Sequence, residues 1–200
     1  MSVRFQYNKT SLQQINKQLL MRVKALPTLK NKESALRLEV KNSRNKCIAL
    51  EKELEDLIVG QRNDIHMWNE FDKELVKIDQ IILKNRTIAG IKTPELDKLT
   101  FHIKDFFLFG KPKWYLDGIK TFQKIMTLVI EKEITGKKVG LLEYARKKTT
   151  QKVNLYEKVQ IPALNNAIVK IKRFLEDEEN LSKASQKIVK NRQESEEVLI

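Results

Sequence analysis

Steps of alternately three and four residues from Leu12 trace one apolar seam through the first third of the chain. Its positions are Leu12, Ile15, Leu19, Arg22, Leu26, Leu29, Glu33, Leu36, Val40, Ser43, Cys47, Leu50, Leu54 and Leu57. Eleven of the fourteen are apolar, and Arg22, Glu33 and Ser43 are the exceptions. The alternation averages 3.5 residues, the repeat of a coiled coil rather than of a globular helix. At 1.5 Å per residue the seam spans roughly 65–70 Å. A globular domain of 200 residues does not need a helix of that length. The chain is built to span a distance, and its function should follow from what lies at the two ends.

A second seam near the C-terminus runs Ile161, Leu164, Ile168, Ile171, Leu175, Glu178, Ser182, Ser185, Val189, and weakens as it goes. Upstream, Leu141, Ala145, Leu155 and Val159 fit a register displaced by one residue, with the slip at Pro162. Pro27 interrupts the first seam, and a proline inside a helix costs on the order of 3 kcal/mol. One alternative is a helix ending at Leu26 and another starting at Thr28. The seam keeps phase through Leu26 and Leu29, which favours one kinked helix. Bends are therefore expected at Pro27 and Pro162. Asn8 is the candidate N-cap, because its side chain can accept from the first free amides. Two such arms bury their seams by folding antiparallel. If Leu57 lies near Leu142, Arg22 faces Glu178 as a seam ion pair.

The middle differs in kind. It holds Trp68, Phe71, Phe101, Phe106, Phe107, Phe109, Trp114 and Phe122, which are expected to form a small core. Residues 65–84 read as helix, with Ile65, Trp68, Phe71, Leu75, Ile78 and Ile82 at helical spacing. Leu99, Phe101 and Ile103 then alternate with Thr100, His102 and Lys104, a strand signature. With Ile88–Ile91 before them and Lys92-Thr-Pro-Glu as the turn, they predict a short β-hairpin around 86–104. Gly110-Lys-Pro marks a break, residues 114–134 are helical, and Thr135-Gly136 is a turn or a tolerated break. The fold class is mainly α: a long antiparallel two-helix coiled coil from residues 1–60 and 140–200, the latter with a frayed tail. Residues 61–139 form a middle region of shorter helices and a β-hairpin.

Charged residues make up 32% of the chain, with only six glycines and four prolines, as suits a helical protein with much surface. Residues 4–46 hold eleven Lys or Arg against Glu33 and Glu39, and residues 140–173 hold eight against Glu143 and Glu157. These two segments carry more than the whole net charge of +13. The positive charge raises nucleic-acid binding as a candidate. However, the lysines are scattered around the helices and the aromatics are segregated from them, whereas stacking platforms need the two interleaved. No apolar run is long enough to span a membrane and the N-terminus lacks a signal-peptide stretch, so a cytoplasmic protein is expected. The single cysteine, Cys47, lies on the seam and reads as a structural thiol. Gly136-Lys-Lys lacks the glycine spacing of a phosphate loop. His66 and His102 have no metal-ligand spacing around them. Glu51 with Glu55, and the Glu176-Asp-Glu-Glu run, read as solvated helix faces. No catalytic residue, cofactor or metal is expected.

Three words in the sequence carry a family resemblance. They are Tyr7-Asn-Lys-Thr-Ser-Leu, Leu26-Pro-Thr-Leu-Lys-Asn-Lys-Glu-Ser-Ala-Leu, and Ala145-Arg-Lys-Lys-Thr-Thr-Gln-Lys-Val-Asn-Leu-Tyr-Glu-Lys-Val-Gln-Ile-Pro162. Together they resemble the D subunit of V-type (A/V-type) ATPases, most closely its bacterial form in V-type ATP synthases. The resemblance covers nearly the whole chain. Val153-Asn to Ile161-Pro is the most specific part, and Pro27 departs from the archaeal pattern.

The resemblance implies a non-catalytic central rotor shaft on the cytoplasmic side of the membrane, a peripheral part of a membrane-bound complex. It implies contacts with the A and B subunits of the catalytic ring, with the F subunit, and with the C subunit above the membrane rotor ring. It implies no homo-oligomer and only indirect membrane contact. The basic arms, represented by Arg22, Lys24 and Lys172, are then expected to face acidic loops of the surrounding ring. Two other functions stay open on residues alone. One is a coiled-coil adaptor, which has no need of the word ending at Pro162. The other is a basic helical nucleic-acid-binding protein, motivated only by charge.

Overall fold

A computed structural model describes residues 4–61, 65–72, 74–107 and 111–197, without the side chains of Ile65 and 194–197. Helix α1 spans Lys9–Gly60 and α2 is the short Ile65–Asn69. Strands β1 (Val76–Ile88) and β2 (Ile91–Ile103) follow, then α3 (Tyr115–Asn154) and α4 (Ile161–Glu197). A π-helical turn, Leu155–Gln160, joins α3 to α4. Met1–Asn31 with Thr149–Ile200 form one compact unit, and Lys32–Lys148 form a second.

Asn8 caps α1, its Oδ1 accepting from the Ser11 amide at 2.7 Å. The helix then runs for 52 residues, about 78 Å of rise. It passes through Pro27 without a break, and the proline ring faces solvent. All fourteen positions of the Leu12–Leu57 seam are buried or half-buried. Apolar residues off the seam, such as Leu20, Leu38 and Ile48, are exposed. Heptad phase, rather than hydrophobicity alone, decides which side of this helix is covered.

In the first unit, Ile15 packs with Leu164, Ala167, Ile168 and Ile171, bordered by Leu12, Leu19 and Leu175. Lys30 bonds Glu157 at 2.7 Å, and Arg22 bonds Gln160 at 2.6 Å. Higher numbers on one helix meet lower numbers on the other, so the pairing is antiparallel. It does not bring Arg22 to Glu178. That residue lies 18 positions beyond Gln160, about 27 Å along a helix, in a group that includes Lys9 and Lys172.

The slip at Pro162 has a physical form. Proline offers no N–H to the carbonyl four residues back. Immediately upstream the chain widens, and the Ile161 amide donates to the Tyr156 carbonyl five residues back. The extra residue rotates the inward face. Val153, Tyr156, Gln160 and Leu164 turn inward, while Leu155 and Val159 are each 39% exposed. Leu155 and Val159 are thus not seam residues. Upstream, the inward residue is Leu142 and not Leu141, which is 47% exposed.

The second unit corrects the middle of the chain. Helix α2 stops at Asn69, and residues 76–88 are a strand rather than the end of a helix. The step of four from Ile78 to Ile82 fits a strand as well as a helix, since i and i+4 share a strand face. Between them lies a bulge, where Ile78 faces Phe101 and Gln80 faces Thr100, leaving Asp79 without a ladder partner. Asp97 is a second such residue, on β2. The turn is Ala89-Gly90, with φ of +48° and +80°, as the tight two-residue hairpin turn requires. Lys92-Thr-Pro-Glu lies inside β2, where Pro94 pairs with Asn85. Both strands of a two-stranded sheet are edges, so a missing amide is tolerated there.

The aromatic core is present: Phe71, Leu75, Val76, Tyr115 and Ile119 are buried, with Trp68, Phe101, Phe106, Trp114 and Phe122 around them. Phe107 does not join it and is 89% exposed. Phe109 and Gly110 lie outside the described residues. Gly136 does not break α3, which continues to Asn154.

Candidate functional site

No pocket chemistry stands out among the described residues, so the candidate site is the paired-helix surface and the hairpin braced against it. In the second unit, α1 and α3 bury Leu36, Val40 and Leu142 between them, and the hairpin tip, Ile88, Ala89 and Ile91, packs on the same cluster. Below the tip, Lys138 on α3 reaches two carboxylates: Glu39 on α1 at 3.4 Å and Glu95 on β2 at 2.7 Å. The Lys138 side chain is only 12% exposed. Its hydrogen bond is the main reason that the Glu95 carboxyl is held below its usual range, with Arg86 adding to the field. The Thr93 hydroxyl, fully buried, donates to the Arg86 carbonyl at 3.0 Å. The aromatic core holds the base of the hairpin and this clasp holds its tip. A two-stranded ribbon, marginal by itself, is thereby kept in place.

Charge pairs flank the buried seam along this unit. Lys46 meets Glu131 at 2.7 Å, Lys132 meets Glu51 at 2.6 Å, Lys124 meets Glu53 at 3.5 Å, and Arg44 meets Glu143. The Glu51 hydrogen bond raises the Lys132 ammonium above its usual value. Exposed pairs are weak as a class, because water and salt screen them. They fix which faces meet, while the buried leucines supply most of the adhesion.

The residues singled out in the sequence divide as follows. Leu12, Ile15, Leu19, Leu26, Leu29, Leu36, Val40, Cys47, Leu50, Leu54 and Leu57 face inward on α1. Ile161, Leu164, Ile168, Ile171 and Leu175 do so on α4. Lys24 and Lys172 are exposed, whereas Arg22 is half-buried and engaged with Gln160 and with the Gln18 carbonyl. The Lys138 clasp has no counterpart in the sequence reading. Its one sequence signal is a lysine with Ile134 and Leu142 one turn away on either side along the helix.

Among the described residues, no three His, Cys, Asp or Glu side chains gather as a metal would require. Among them, too, no helix is long and apolar enough to cross a membrane. Residues 11–191 match the family described as the ATP synthase D subunit. The chain belongs to the ATP synthase D-subunit family. A V-type ATP synthase D subunit from Borreliella burgdorferi is 29% identical to it over 185 residues, 92% of either chain. The V-type ATP synthase D subunit of Chlamydia pneumoniae is 26% identical over 183 residues, covering 88% of this chain and 87% of that one. That of Chlamydia muridarum is 26% identical over 182 residues, 88% and 90% of the two chains. The matched span thus reaches all three long helices and the hairpin, and the words around Leu26 and Pro162 fall inside it.

Proposed function

We propose that this D subunit is the central rotor shaft of a V-type ATPase or ATP synthase. It transmits torque between ATP hydrolysis or synthesis in a ring of A and B subunits and ion transport by a membrane rotor ring. It carries no catalytic residue of its own. It stands on the cytoplasmic side of the membrane, bound to the F and C subunits, and touches the membrane only through the complex. The observation that carries this reading is the continuous inward seam of α1, covered in the first unit by α4 and in the second by α3. A torque-bearing part must resist bending and twisting, and two packed helices do so better than one.

A rotor surface must also bind no single stator position tightly, or it stalls. Exposed charge suits this, because surface ion pairs are weak and readily exchanged. Lys24 and Lys172 are the cations proposed to face acidic loops of the ring. Arg22 belongs to the same set, but it also bonds Gln160, so reversing it disturbs the shaft itself.

The test is purification of the complex through a tag on this chain, followed by ATP-driven pumping with K24E/K172E. The chain should bring down A, B and F subunits, and the double reversal should weaken coupling of hydrolysis to pumping while hydrolysis continues. A chain that purifies alone contradicts the assignment. Unchanged pumping contradicts the role given to the two lysines.

A further inference from the structure

On α1, Arg37, Lys41, Arg44 and Ile48 follow one another at steps of four, three and four, so they share one stripe of the helix. Arg146 on α3 borders that stripe, and with Val40 and Asn45 these residues line a shallow cavity of about 430 Å³. Four cations line it and no acid does. Elsewhere in this unit the cations between helices are matched: Lys46 by Glu131, Lys124 by Glu53, Lys132 by Glu51, Lys138 by Glu39 and Glu95. Around the cavity, among the described residues, only Arg44 has a close partner, Glu143, and Arg37 reaches Glu33 at 3.5 Å.

The Arg146 Nε is buried and has no hydrogen-bond partner among the described residues. A buried donor left unmatched is costly, which makes it a natural recipient for an incoming acceptor. An apolar side chain stands in the same place: Ile48 is 63% exposed.

We infer that this stripe is the docking surface for an acidic segment of another chain in the ATPase complex. Its carboxylates meet Arg37, Lys41 and Arg146, and one apolar side chain covers Ile48. Charge complementarity sets the sign of the partner and steers its approach. The exposed isoleucine selects a peptide over a phosphate backbone, which offers nothing apolar to cover it. The inference rests on the proposed place in the complex and adds a contact separate from Lys24 and Lys172.

The test uses the full chain with a benzophenone amino acid in place of Ile48, in the complex purified through a tag on the A subunit. Irradiation should join it to one segment rich in Asp and Glu. The yield should fall about tenfold with R37E/K41E, whose two side chains point to solvent, and should fall likewise at high salt. Several outcomes overturn the inference and leave the rotor assignment standing. They are an assembled complex with no crosslink, a crosslink to a neutral or basic segment, to nucleic acid or to a second copy of this chain, and a yield indifferent to R37E/K41E. A chain that never enters the complex overturns both. The Ile48 arm is read in the otherwise unaltered chain, so it stands even if R37E/K41E misfolds.

Discussion

Replacing Leu142 by alanine should cost about 3 kcal/mol of stability, and replacing Leu141 should cost less than about 1 kcal/mol. Leu142 is wholly buried on α3, against Leu36 and Val40 on α1. The change removes three carbons, about 2.4 kcal/mol at roughly 0.8 kcal/mol per buried methylene. The cavity left behind adds to this. Its neighbours Ile88, Ala89 and Ile91 are only partly buried and can close in, so the total stays in the lower half of the roughly 2–5 kcal/mol range for such changes.

Leu141 is one residue away and 47% exposed, so alanine there loses little. Urea unfolding followed by circular dichroism measures both. At roughly 2–4 °C per kcal/mol, the Leu142 variant should melt about 6–12 °C lower. Equal effects, or a larger effect at Leu141, would refute the inward face assigned to α3 and restore the displaced register that the sequence alone suggests.

Pro27→Ala should stabilise the protein by up to about 3 kcal/mol, since it restores a helix hydrogen bond at an exposed position; a lower melting temperature would contradict the unbroken α1. Gly118→Ala should change the near-UV spectrum, because a Cβ there stands 3.0 Å from the Trp114 ring, which must give by a few tenths of an ångström; unaltered tryptophan signals would refute this packing. For Glu95 the folded carboxyl lies below its usual 4.5, so its contribution is present above that pH and fades as pH falls through the folded value. Wild type should therefore exceed E95Q by roughly 0.5–1 kcal/mol at neutral pH, with the gap narrowing in acid below the usual carboxylate range. A gap independent of pH would remove the Lys138–Glu95 clasp.

Periodicity governs how much of this is legible in the sequence. The α1 seam can be placed residue by residue, because fourteen positions in 3-4 alternation leave one consistent face. The α4 seam from Ile161 to Leu175 is legible for the same reason. Just upstream, the π turn adds a residue that no hydrophobic pattern announces, so the pattern puts Leu155 and Val159 on the wrong side. In the hairpin, a bulge at Asp79 in β1 and another at Asp97 in β2 break the two-residue alternation, and the step of four from Ile78 to Ile82 fits a helix as well as a strand. Lys92-Thr-Pro-Glu outcompetes Ala89-Gly90 as a turn signal because proline is in general the stronger one. It loses that force on an edge strand. The Lys138 clasp depends on three elements meeting, through Glu39, Lys138 and Glu95, which are distant in sequence.

The most direct test of the rotor assignment is rotation itself. A bead is attached to a cysteine introduced at exposed Lys84, with Cys47 changed to alanine and the A–B ring fixed to glass. On adding ATP the bead should turn continuously in one direction. A bead that stays still while the same complexes hydrolyse ATP would contradict the assignment of this chain as the shaft.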